Sequence, residues 1–254
     1  MEKLDRLKAT GCSSHFFLHH TRTPFSDQRD SSSFAKLAAH NLLCSERPRN
    51  SSTTCETGET QVETASRWLF MSIKWAKGLP YFSELYYPDQ LELLRRNWSK
   101  LFLFNLMCFE MLPGNSRHDV SSMLKDVFLR WSKANNRPEI PGKIEHGLEK
   151  LRRLRLDETE TLLVKSLLLF NPETEGIVDS SLIQVTQNKC HRALEEHTLS
   201  THPGERERCG CVLLTVLTLS SFEERDIEAI FLSSVLGNAT VKSLMENILC
   251  IESI

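Results

Sequence analysis

The 254-residue sequence contains no Cys-x-x-Cys pair; its eight cysteines, at 12, 44, 55, 108, 190, 209, 211 and 250, are scattered, and only Cys209 and Cys211 stand close together. A zinc module needs four tetrahedral ligands at tight spacing, so this pattern excludes one, and Cys209 and Cys211 read as reduced thiols at the start of a buried helix. Gly-rich phosphate loops, metal-ligand clusters and nucleophile elbows are missing as well, which removes the usual signatures of an enzyme. Long apolar runs are lacking: the longest, 101–112, contains Asn105 and Glu110 and is too short to span a bilayer. The opening residues Met1-Glu2-Lys3-Leu4-Asp5-Arg6 have no apolar signal-peptide core, so an intracellular protein is expected. The net charge of −2 provides no overall field for nucleic acid or membrane. No cofactor, no metal and no direct DNA binding by this chain are therefore expected.

What is present suits one ordinary domain with a tail: 40% of residues are hydrophobic and 25% charged. Residues 1–59 are rich in Ser, Thr, Arg and His and read as mostly disordered. A short helix is possible at 33–45, where Phe34, Leu37, Ala38, Leu42 and Leu43 share a face. Regular structure is expected from Thr60, because Thr60-x-x-Glu63 has the form of a capping box. Val62, Ala65, Leu69, Ile73 and Ala76 then step by three and four, with Trp68, Met71, Trp75 and Leu79 as a second stripe. So wide an apolar arc predicts a helix buried on two sides. Gly78 suits a left-handed cap, Pro80 cannot continue the helix, and Pro88-Asp89 offers a new helix start. Trp75 to Leu94 is thus a helix end, a turn and a helix start.

This corner resembles the signature of nuclear-receptor ligand-binding domains in Trp75-Ala76-Lys77, Phe82, Leu85, Asp89-Gln90 and Leu93-Leu94. A second motif agrees: Leu156-Asp157-Glu158-Thr159-Glu160 opens a helix that closes at Leu169-Phe170-Asn171-Pro172, similar to the family's eighth helix. Asp157 is its expected N-cap and Glu160 the partner of that cap. Trp68 to Lys77 and Leu236-Gly237-Asn238 look most like the tailless group of orphan receptors. The resemblance implies, for residues 60–254, an all-α fold, a three-layer antiparallel helical sandwich. It also implies an orphan transcriptional regulator in the nucleus with receptor-type protein contacts, although no zinc-finger DNA-binding domain is present in the sequence. The alternative is an intracellular binding module or sensor for an apolar small molecule.

The family's coregulator groove carries over to Lys77, Gln90, Leu94 and Arg95, completed by a last helix in which Val241, Leu244, Met245, Ile248 and Leu249 form an apolar face. In the family, the Lys meets the C-terminal carbonyls of a partner helix and an acid of the last helix meets its N-terminal amides. Alignment puts Asn247 at the acid's position, which leaves the clamp one charge short and favours a corepressor over a coactivator helix. Ile73, Phe102, Met107, Phe109 and Ile230 are the candidate pocket residues; large side chains there are as compatible with a filled core as with a ligand, and the ligand is unknown. Val212, Leu213, Val216 and Leu217 are the implied dimer face for a receptor homo- or heterodimer. The family's Leu-Pro-Ala-Leu-Arg segment reads Val216-Leu217-Thr218-Leu219-Ser220 here, without its Pro and Arg.

Overall fold

The computed structural model describes residues 60–109, 117–135, 137, 139–236 and 239–250, and among them there are helices and no strands. The segment 1–59, with its expected helix at 33–45, lies outside the described residues. Helix α1, Thr60–Lys77, buries residues of both apolar stripes: Trp68, Leu69, Ile73, Trp75 and Ala76 are enclosed, and Met71 is half-buried. Lys74 and Lys77 lie in its last turn, where a cation complements the helix dipole. The left-handed cap expected at Gly78 is not used, since Gly176 is the one positive-φ glycine among the described residues. Instead the Gly78 N–H donates to Lys74 O and Trp75 O at 3.1 Å, and that of Leu79 to Ala76 O at 3.0 Å. The chain thus tightens into the short α2, Pro80–Ser83, which has Pro in its first turn.

Helix α3, Tyr87–Phe109, forms the middle of the molecule. Leu93, Leu94, Trp98, Leu101, Phe102, Leu103, Phe104 and Leu106 are buried all round it, as the near-continuous apolar sequence requires. Helices α4, Arg117–Asn135, α5, Glu139–Leu154, and α6, Glu158–Leu169, follow. Then come α7, Ser180–Thr201, and α8, Arg208–Leu217. Helix α3 packs against α1 on one side and α6 on another, α6 against α7, and α8 against α5 and α7, which gives the three-layer helical sandwich. Asp157 caps α6 as expected: its Oδ1 accepts from Glu160 N at 2.8 Å, while Glu160 Oε2 accepts from Asp157 N at 3.0 Å.

The corner is fastened from within. The buried Asp89 carboxylate accepts from the N–H groups of Val178 at 2.7 Å and Asp179 at 3.1 Å, tying α3 to the loop before α7.

The sequence from Cys211 to Phe222 is nearly continuous in apolar residues, yet α8 stops at Leu217 and passes into a tight turn, Thr218–Ser221. Thr218 Oγ1 donates to Thr215 O and Ser221 Oγ to Thr218 O, both at 2.6 Å. Such side-chain bonds compete with the helical ladder where no apolar packing enforces it. Helix α9, Glu224–Ile227, then leads through a π turn, Glu228–Leu232, into α10, Ser233–Leu236. The terminal α11, Val241–Cys250, lies against α1 and α3.

Candidate functional site

Lys77 leaves the last turn of α1 toward α11, and its Nζ donates to Ile248 O at 3.4 Å and Leu249 O at 3.3 Å. These are carbonyls at the C-terminal end of a helix, the groups that have no partner within the helix and carry its negative pole. Val241, Met245 and Leu249, four residues apart, are buried on the inner side of α11. Leu244 and Ile248 flank them half-buried, and Lys242 and Asn247 face outward. The chain's own last helix therefore sits against Lys77 and packs on α1 and α3, and its Met245-x-x-Ile248-Leu249 carries the spacing of a Leu-x-x-Leu-Leu helix.

The two ends of α11 are satisfied differently. At its N-terminus, Ser243 N donates to Thr240 Oγ1 at 3.1 Å, Thr240 N to Ser243 Oγ at 3.2 Å, and Leu244 N to Thr240 O at 3.1 Å. No acid takes part. Asn247 lies exposed on the outer face, and Glu246 Oε1 stands 3.8 Å from Lys242 Nζ on the same helix. Thr240-x-x-Ser243 was legible in the sequence as a cap and its neighbour, a signal that the search for a clamp acid passed over.

The other expected groove residues take internal roles. Gln90 Nε2 donates to Leu85 O at 2.9 Å and so holds the turn before α3. Leu94 is part of the core. Arg95 grips Glu92, its Nη2 donating to Glu92 Oε2 at 2.7 Å, and this carboxylate holds the guanidinium's pKa above its usual value. Arg95 and Arg96 both draw on Glu92, so that acid is already neutralised.

The candidate pocket residues Ile73, Phe102 and Ile230 are buried; the side chains of Met107 and Phe109 lie outside the described residues. Phe102 stands at the centre of an aromatic cluster, with ring centroids 6.0 Å from Trp68, 6.3 Å from Trp98 and 5.2 Å from Phe231. Phe231 in turn meets Phe128 at 6.1 Å. Edge and tilted contacts of this kind close-pack the interior between α1, α3 and the π turn.

On α8, Val212 and Val216 belong to the chain's own core, which takes them out of the expected dimer face. The four expected residues span an arc of about 140° around the helix, and its Val212 and Val216 edge faces inward: Leu213 is half-buried, whereas Leu214 and Leu217 are exposed at 68% and 62%. The surface stripe is thus Leu213, Leu214 and Leu217.

Buried charges that the sequence did not anticipate include Arg208 and Lys165. Arg208, at the start of α8, donates from Nε to Glu160 Oε1 at 2.6 Å, from Nη2 to Glu160 Oε2 at 2.8 Å and from Nη2 to Leu154 O at 3.0 Å. Lys165 places its Nζ 4.4 Å from the Trp75 ring centre, a cation over a π face within the core. The signal for Lys165 was a charge inside an apolar run, Leu162 to Leu169, whereas Arg208 ends the charged run Glu205-Arg206-Glu207 and gave no such signal. Asp157, Glu160 and His202 bring one oxygen or nitrogen each within 4.8 Å of one another. The oxygens are already engaged: Glu160 binds Arg208, while Asp157 accepts from Glu160 N and its Oδ2 lies 2.7 Å from His197 Nε2. A cation there would face the Arg208 guanidinium, so the cluster serves as a structural ion pair. Burial pushes the Cys190 thiol up, and Cys209 in the same direction, which leaves both as inert protonated thiols.

Comparison with known proteins agrees with this geometry. The sequence model of the ligand-binding domain of nuclear hormone receptor matches residues 46–236, beginning within the segment expected as a tail. The chain is similar to nuclear receptor subfamily 2 group F member 5 of Danio rerio, with 30% identity across 75% of this chain and 47% of that protein. It is 30% identical to steroid receptor seven-up, isoforms B/C, of Drosophila melanogaster, across 74% of this chain and 34% of that protein. It is 27% identical to nuclear receptor subfamily 2 group F member 6 of Homo sapiens, across 74% and 46% of the two chains. This chain thus spans half or less of those relatives, which are group F members of nuclear receptor subfamily 2 and the seven-up receptor, where the sequence had pointed to the tailless group. In fold it resembles the ultraspiracle ligand-binding domain of Drosophila melanogaster, with a TM-score of 0.64 at 19% identity, covering 86% of this chain and 98% of that one. The chain belongs to the family of nuclear hormone receptor ligand-binding domains.

Proposed function

We propose that the chain is the effector domain of a transcriptional regulator of the nuclear-receptor type, acting in the nucleus as a repressor. The observation that carries this reading is the Lys77 contact with Ile248 O and Leu249 O. With α11 docked, a coactivator helix has to displace a covalently attached competitor whose effective concentration is in the millimolar range or above. Asn247 adds to the handicap, because an α11 moved aside to form the usual clamp would present an amide where the family presents an acid. Repression then follows from exclusion of the coactivator helix, and a corepressor helix has to displace α11 in the same way or bind outside this groove.

The test is binding of a fluorescent Leu-x-x-Leu-Leu peptide to the full chain by anisotropy. The unaltered chain should bind weakly, and Met245→Asp, which places a charge on the buried face of α11, should bind at least about tenfold tighter if docking is worth ~1.4 kcal/mol. Equal affinities would remove the basis for the repressor reading. Dimerisation with itself or with another receptor of the family belongs to the same proposal, through the stripe Leu213, Leu214 and Leu217. Leu214→Arg combined with Leu217→Arg should leave a monomer in sedimentation velocity without loss of helicity; an unchanged sedimentation coefficient would count against that face.

A further inference from the structure

We propose, building on the self-docked reading above, that this groove is one-ended: it holds a helix by its C-terminus and selects partner helices that bring their own N-terminal cap. The first turn of any α-helix has four N–H groups without helical partners, and a partner that enters a groove must satisfy them from its own chain, from the host or from water. In the two-ended clamp implied by resemblance, the host supplies an acid. Among the described residues, the contact that the host makes with an end of the seated helix is the cation, Lys77 on Ile248 O and Leu249 O.

The seated helix shows how the other end is met. Thr240 and Ser243 exchange bonds, Ser243 N donating to Thr240 Oγ1 and Thr240 N to Ser243 Oγ, while Leu244 N takes Thr240 O. These contacts are internal to the helix and its first flanking residue. Glu92, the acid between the groove positions Gln90 and Leu94, is held by Arg95 and Arg96. Asn247 has no charge and faces outward. The partner this surface fits is therefore an amphipathic helix with apolar residues in the pattern of Met245-x-x-Ile248-Leu249 and with Ser, Thr, Asp or Asn five residues before the first of them, where α11 has Thr240. A helix that relies on the host for its N-terminus is discriminated against, whatever its apolar face. The rule would also explain how the chain tolerates Asn247 in its last helix.

The test uses the full chain with α11 displaced by Met245→Asp, and in parallel by Leu249→Asp in case the first change lowers solubility; circular dichroism of each checks that the helices are retained. Two labelled peptides with the sequence of residues 240–250 are compared by anisotropy, one unchanged and one with Thr240→Ala and Ser243→Ala. The unchanged peptide should bind both displaced chains, and loss of the cap should weaken binding roughly fivefold or more. The difference should persist between stapled versions of equal helicity, because it arises from unsatisfied amides and not from helix propensity alone. Adding Lys77→Ala should weaken both peptides. Equal binding of capped and uncapped stapled peptides overturns the one-ended groove while leaving the docked α11 intact. Failure of the unchanged peptide to bind either displaced, folded chain overturns the docked reading and this one with it.

Discussion

Arg208→Ala is expected to cost about 3–5 kcal/mol of folding stability, because it strands a charge with no route to water. Glu160 is fully enclosed and both its oxygens accept from the Arg208 guanidinium, at 2.6 and 2.8 Å. The same guanidinium takes Leu154 O near the end of α5, and Glu160 is the reciprocal member of the Asp157 cap. One deletion therefore disturbs the end of α5, the start of α6 and the start of α8 together. An exposed pair would be worth ~1 kcal/mol or less, so magnitude separates the two cases. Urea unfolding followed by circular dichroism reads it. A double change, Glu160→Leu with Arg208→Leu, should recover much of the loss, since removing both charges avoids the stranded carboxylate. A single-variant cost below about 1 kcal/mol would show that the pair is hydrated and that these three elements are held by packing alone.

Such a pair is hard to read from sequence, because its partners lie 48 positions apart and each residue reads locally as something else. Glu160 was visible as half of a capping box, and the structure keeps that role. Its second role depends on how α8 folds back over α6, which no local pattern specifies. Local rules worked where the determinant is local: the stripes of α1, the start of α6 and the amphipathic face of α11 all follow from spacing. They failed at Gly78, where a glycine's freedom to adopt positive φ was mistaken for a requirement. They failed again at Leu217, where Thr and Ser side chains bonding to nearby backbone carbonyls ended an apolar run that spacing alone would continue.

The candidate site divides in the same way. Lys77 and the apolar residues of α11 were legible as halves of one surface. That they meet as host and guest within a single chain was not, because the sequence specifies a face without specifying its occupant. Gln90 and Asp89 illustrate the converse: positions that mark the family most clearly serve the corner, through Leu85 O and through the backbone of Val178 and Asp179. Both side chains are committed to hydrogen bonds within the corner, which are costly to leave unmade.

Phe102→Ala addresses the remaining choice, between a regulator that works by protein contacts and a sensor of an apolar molecule. Phe102 is completely buried among Trp68, Trp98 and Phe231, and truncating such a ring costs about 3–5 kcal/mol through lost transfer energy and the cavity left behind. Because the walls are aromatic and aliphatic, the new cavity should stay dry and accept a small apolar probe such as benzene or indole. The variant's thermal midpoint should therefore rise with added probe, by mass action on the folded state alone, while the unaltered chain, with that volume occupied by its own side chain, should not respond. If the unaltered chain is stabilised by such probes or by a fatty acid at low micromolar levels, the interior has room that Phe102 does not fill, and the sensor reading gains over repression by contacts. If only the variant responds, the residue that the family resemblance assigned to a pocket lining acts as the chain's own internal ligand, and regulation at this domain must pass through α11 and the groove it occupies.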